Sequence, residues 1–191
     1  TAGNEDISGN PYLYKDWCSG TVRFSSGRVL NQFKLKFDVL KNQLLLQFEG
    51  STFAAESRIN EFVMYPKSKS KDSLVFRKGF PNSDKGTEHT YYQVLFKDKV
   101  QLLRLFGRTI IHEQSLVVSS NKQHRRLEEA EYYYLLHNNN LILMPGSRTE
   151  LAAIFPDKKE QLTAFIADQQ LKMRSAEDYL AVVKKYNELI P

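Results

Sequence analysis

The chain has one cysteine, Cys18. No intramolecular disulfide can form, so a disulfide-stapled fold is excluded. The thiol lies in "DWCSG" with no base near it in the sequence, and it reads as a small, partly buried hydrophobe rather than a nucleophile. No apolar run approaches the roughly 20 residues of a membrane helix. The common catalytic signatures are missing too. There is no GxSxG elbow, no P-loop, no GxGxxG at a strand-to-helix turn and no calcium loop. The four histidines are His89, His112, His124 and His137, and none stands at zinc spacing from Cys18 or from another histidine. "IHEQS" lacks the second histidine of the metalloprotease motif. No metal site and no cofactor is expected. Glu128 and Glu129 adjoin in a charged stretch, without the burial that a general acid requires. An enzyme with a dispersed, motif-less site stays open as one alternative, because catalytic groups can come from distant segments.

What is present describes a folded β-rich chain. Of its 191 residues, 41% are hydrophobic and 26% charged, too apolar for disorder and long enough to bury a core. Phenylalanine (12) and tyrosine (10) favour strands. From about 19 to 144 the pattern alternates. In "QFKLKFDV" Phe33, Leu35, Phe37 and Val39 share one face, and Gln32, Lys34, Lys36 and Asp38 point outward on the other. "LKNQ" turns the chain, and Leu44, Leu46 and Phe48 restore that face, giving a hairpin. "RINEFVMYP" and "SLVFRKG" read as shorter strands, and "PNSDKGTEH" as a polar loop. "TYYQVLFKDKVQLLRLFG" gives a second hairpin, with Gly107 marking a bend or bulge. "EYYYLLHNNNLILMPG" gives a third: Tyr132 and Tyr134 face one side, Tyr133 and Leu135 the other, around an asparagine turn. The same tyrosines on an exposed face would make an aromatic platform. Residues 114–131 read as an irregular stretch, a loop or a short helix.

The pattern changes at 147. "SRTE" is a capping box with Ser147 as N-cap and Glu150 three residues on. Pro156 begins a second helix carrying Leu162, Phe165 and Ile166, and Ser175 caps a third carrying Tyr179, Val183 and Tyr186. The expected fold is therefore mainly β, α+β overall. About nine strands form an antiparallel meander, as a sandwich or open barrel, followed by a short C-terminal helical segment. The expected division is a β-rich part over 1–146, with 1–10 a loose lead-in, and a helical part over 147–191.

Net charge is +5, with a pI near 9.2. Residues 147–191 hold seven basic and seven acidic residues, so the excess lies before them. Residues 58–126 alone hold 14 basic and 6 acidic residues. The candidate binding residues are Lys67, Lys69 and Lys71, Arg77 and Lys78, Arg125 and Arg126, with Tyr132, Tyr133 and Tyr134. Such cations bind phosphates, polyanions or anionic head groups. The same pattern also arises where lysines blunt exposed strand edges.

The order of segments resembles that of a group of uncharacterised bacterial cell-envelope proteins. The pieces that carry the resemblance are "NPYLYKDWCSGTVRFSSG", "FRKGFP" before "TYYQVLFKDKVQLL", "EYYYLLHNNNLILMPG" and "FPDKKEQLTAFIADQQLKMRSAEDYLAVVKKYNEL". The resemblance implies a periplasmic or secreted chain made with a signal peptide, and the start at Thr1 rather than Met is compatible with processing. It implies no reaction and carries over no functional residue. The expected function is a non-enzymatic binding or scaffold role in the envelope. Its partner would be an envelope protein, a glycan or an anionic surface. The alternative is a nucleic-acid or polyanion binder using residues 58–126, in which case a cytoplasmic location would fit.

Overall fold

The computed structural model describes residues 7–55, 58–66, 73–113 and 124–191. Within them the protein is mainly β, with antiparallel pairing almost throughout and three helices towards the C-terminus. The chain divides into two compact units. The first comprises residues 1–73 and 106–131, the second 74–105 and 132–191. The helices that follow the change of pattern at 147 pack with strands of the second unit.

In the first unit the strands are β1 (Ile7–Ser8), β2 (Cys18–Phe24), β3 (Val29–Leu30), β4 (Lys34–Asp38), β5 (Gln43–Phe48), β6 (Ser51–Ala54) and β7 (Ile59–Tyr65). They run in the order β7-β2-β4-β5-β6, with β3 folded onto β2, and this sheet does not close. The β4–β5 hairpin has the expected register, Leu35 opposite Leu46 and Phe37 opposite Leu44. Leu35, Phe37 and Leu44 are buried, as are Val22, Phe62 and Met64 on the neighbouring strands. Asp38 is also buried, where alternation had placed it outward with the polar residues. Its Oδ1 accepts the Lys41 N–H at 2.9 Å, so the carboxylate closes the turn instead of facing water. Gly20 is sterically required. A Cβ there would collide with the Leu35 side chain and the Val63 carbonyl oxygen.

Two long strands belong partly to each unit: β10 (Gln101–Glu113) and β11 (His124–His137). Gly107 lies within β10. A register shift falls at Leu102/Leu103, where the β9 side carries an extra residue. Residues 124–131, read from sequence as loop or helix, are strand; 114–123 lie outside the described residues. "RRLEEAE" (125–131) shows no apolar alternation because its side chains are half-buried or exposed rather than packed in a core. Its first residues pair in parallel with β1, Ile7 with Arg125 and Ser8 with Arg126. Ile7 and Ser8 of the expected lead-in are therefore paired strand residues.

The second unit holds β8 (Leu74–Arg77), β9 (Tyr92–Lys97), the first part of β10, the last part of β11, and β12 (Asn140–Leu143). Here β8, β9, β10 and β11 are neighbours in that order, with β12 beyond β11. Asn138 (φ 49°) and Asn139 (φ 58°) both adopt the left-handed conformation of a type I′ turn, which sets Tyr134 opposite Leu143. One face packs on the helices α1 (Arg148–Ile154), α2 (Lys159–Asp168) and α3 (Ala176–Leu189). Tyr133, Leu135 and Leu102 join Leu151, Phe155, Leu162 and Val183 there. The other face gathers Phe80, Tyr92, Leu103, Leu105 and Tyr134. The two-sided reading of the tyrosine run is thus realised.

The helix caps follow the sequence in two cases. Ser175 Oγ accepts the Asp178 N–H at 3.3 Å, and Ser147 Oγ accepts the Glu150 N–H at 3.5 Å. The middle helix starts at Lys159, later than Pro156, because residues 156–158 form a turn first. The buried Asn187 holds α3 to the sheet. Its Oδ1 accepts the Val100 N–H at 3.0 Å, and its Nδ2 donates to the Val100 and Val183 carbonyls. The amide completes the backbone hydrogen bonding where β10 begins.

Candidate functional site

In the first unit a hollow of about 580 Å³ lies where the β2–β3 hairpin meets the start of β7. It is lined by Phe24, Ser25, Ser26, Arg28 and Arg58. The sequence builds it in three steps. "FSSGR" makes a tight turn: Phe24 N–H donates to Arg28 O at 2.9 Å, and Gly27 takes φ 85°. The register between β2 and β7 then shifts between Arg23 and Phe24, so that Arg23 faces Glu61 while Phe24 faces Ile59. This is a bulge, a device that re-aims side chains at the end of a pairing. Finally Ser25 N–H donates to Arg58 O at 2.7 Å, which brings Arg58 beside the turn.

The charges of this corner are unequally engaged. Arg23 Nε meets Glu61 Oε1 at 3.2 Å. Arg28 and Arg58 are exposed and have no carboxylate within ion-pair distance among the described residues. Ser26 Oγ accepts the Arg28 N–H at 3.5 Å, and its own O–H proton stays available for donation. Arg108 in the same unit shows the contrary arrangement. Its side chain is only 3% exposed, reaches Glu129 at 3.3 Å, and donates to the Asn10 and Tyr12 carbonyls at 3.0 Å. That guanidinium is structural; it ties the N-terminal segment down.

Elsewhere in the first unit Lys36 Nζ lies 4.7 Å from the Tyr12 ring centroid and 5.3 Å from that of Trp17, all three half-buried. Cys18 is buried, and burial raises its thiol pKa, with Asp16 adding to the effect. That chemistry is the reverse of an activated nucleophile.

The residues singled out from sequence fall into different settings. Lys67, Lys69 and Lys71 lie outside the described residues. Arg125 and Arg126 begin β11 in the first unit, the former half-buried and the latter exposed. Arg77 ends β8 in the second unit and Lys78 follows it, both half-buried. Lys78 Nζ stands 5.2 Å from the Tyr91 ring, and burial lowers its pKa.

The three tyrosines each take a different role. Tyr133 stacks on Tyr179 with centroids 4.5 Å apart. Tyr134 is fully buried; its hydroxyl donates to Asp84 Oδ1 at 2.7 Å, and its ring meets Tyr92 edge-on at 5.6 Å. Tyr132 is half-buried, with Lys85 Nζ 4.7 Å from its ring. The Tyr92 hydroxyl pairs with Ser83 Oγ at 2.9 Å. Residues 81–90 are therefore fastened onto the sheet by two phenol hydroxyls. Burial raises the pKa of Tyr134, Tyr92 and Tyr91, the last to about 12. These phenols remain protonated at neutral pH, with Tyr133 and Tyr134 belonging to the core rather than to an open platform.

A second, smaller hollow of about 230 Å³ in the second unit is lined by Arg148, Thr149, Lys159, Thr163, Ile166 and Ala167. Among the described residues no metal-ligand cluster forms, and no helix is long and apolar enough to cross a membrane. Comparison with known proteins gives no matching family model and no match among curated proteins or solved structures.

Sequence reasoning missed Arg28 and Arg58. The charge of each residue was legible. Their proximity was not, because it depends on β2 pairing with β7 across the intervening β4–β6 strands.

Proposed function

We propose that this chain is a non-enzymatic binding or scaffold module of the bacterial cell envelope, acting on an anionic partner there. The observation that carries the reading is the hollow of the first unit, where Arg28 and Arg58 stand without a carboxylate partner among the described residues. The order of sequence segments supports the envelope location. The test is fractionation of the native source with intact mass of the recovered protein. Recovery in the envelope with a processed start near Thr1 is the expected result. A cytoplasmic protein with a longer, Met-initiated start overturns it.

A nucleic-acid or polyanion binder is the second reading. It is favoured by the contact of the exposed Lys85 with the half-buried Tyr132 ring, a pairing of charge and aromatic surface that single strands use. Binding of labelled oligonucleotides that falls steeply with salt is the expected signature, and absence of binding at low salt removes the reading.

A further inference from the structure

We propose that the Arg28–Arg58 hollow recognises a phosphomonoester group; this rests on the anionic-partner reading and names its chemistry. Charge decides among the anions. A phosphomonoester carries about −1.5 to −2 at neutral pH, matching two guanidiniums, whereas a carboxylate or phosphodiester carries one charge and leaves a cation unmatched. Geometry agrees. Guanidinium forks donate in pairs to tetrahedral oxyanions, and the Ser26 hydroxyl proton adds a donor on the same wall.

The setting also looks built for a ligand rather than for stability. The neighbouring Arg23 already satisfies Glu61, so this carboxylate is engaged beside the hollow. The bulge sits at the residue pair that opens the hollow. At about 580 Å³ the space falls within the range of about 300–1,000 Å³ typical of small-molecule sites. It exceeds what a bare phosphate needs, and the half-buried Phe24 offers an apolar wall for the moiety that carries the phosphate.

The test titrates the full chain by calorimetry with inorganic phosphate, glucose 1-phosphate and glucose. It adds sedimentation with phosphatidylcholine vesicles, with and without phosphatidic acid. Glucose 1-phosphate binding with none for glucose supports the proposal and points to a soluble phosphorylated ligand. Binding to phosphatidic acid vesicles alone also supports it and places the phosphate on a lipid head group. Arg28→Ala and Arg58→Ala each weaken binding by about tenfold, and Arg28→Lys, which keeps the charge and loses the fork, also weakens it. Arg174→Ala, on the other unit, binds as the parent does. Equal affinity of the parent and both alanine variants overturns the site. Binding of oligonucleotides with none of the phosphomonoester probes overturns the ligand class. Recovery from the envelope without binding of any phosphate probe refutes this inference while leaving the envelope reading in place.

Discussion

The second unit engages several of its polar side chains internally. The hydroxyl of Tyr134 meets Asp84, that of Tyr92 meets Ser83, that of Tyr179 meets the Met173 carbonyl, and Asn187 meets Val100. The first unit does the same with Arg108, but leaves Arg28 and Arg58 at the end of a hairpin with no carboxylate partner among the described residues. Buried polar groups need partners, because an unpaired one costs about 1–3 kcal/mol. Exposed cations carry no such cost, since water solvates them. A polar side chain tied to its own fold therefore reads as architecture. One held at a hollow without such ties is open to a ligand. That difference separates the tyrosine run, conspicuous in sequence, from the inconspicuous arginines.

The comparison can be broken or sharpened by substitution. The largest effects belong to the two cores and should be alike. Phe62→Ala in the first unit is expected to cost about 3–5 kcal/mol and Leu102→Ala in the second about 2–5 kcal/mol, read by denaturant unfolding. A small effect at either site would mean that one core is not close-packed.

Next comes the buried amide. Asn187→Leu strands the Val100 N–H and carbonyl, with an expected loss of about 1–3 kcal/mol and faster hydrogen exchange at Val100. Tyr134→Phe removes one hydroxyl bond, an expected loss of about 1 kcal/mol. Arg28→Ala should change stability by no more than about 0.5 kcal/mol, as an exposed position does. A larger loss there would show the arginine to be structural and would dissolve the contrast.

Alkaline pH separates the units without mutation. Tyr91, Tyr92, Tyr134, Tyr179 and Tyr186 all belong to the second unit, and burial raises the pKa of each. A folded-state pKa above the unfolded value of about 10 means that the native state holds its protons longer. Stability is then fully present below about pH 10 and falls as the pH rises towards and through about 12, the value for Tyr91. Ultraviolet titration of phenolate, alongside hydrogen exchange in the two units, should show the larger loss in the second, which holds these five phenols where the first holds the raised Cys18 thiol. Equal losses in both would contradict this.

Much of the architecture was readable in advance. Strict alternation in 33–39 marked a strand with one buried face, and the asparagine turn at 138–139 set a hairpin register that the backbone angles bear out. Ser175 announced a helix start by its capping chemistry. Residues 124–131 were not legible as strand. The side chains of 125–131 are not packed in a core, so no apolar period records the pairing. The outward-looking Asp38 was misjudged because a local turn bond, not the sheet period, sets its environment.

The sequence by itself determined the local grammar: where strands alternate, where turns need left-handed residues, where helices begin, and that no disulfide can form. It determined these because each depends on neighbours a few residues apart. Tertiary structure decided which charges are engaged and which face a hollow. Arg28 and Arg58 stand thirty residues apart, and Arg108 reaches back almost a hundred to Asn10 and Tyr12. Only strand pairing across the sheet sets such distances, and burial, which divides structural cations from available ones, follows from that pairing alone.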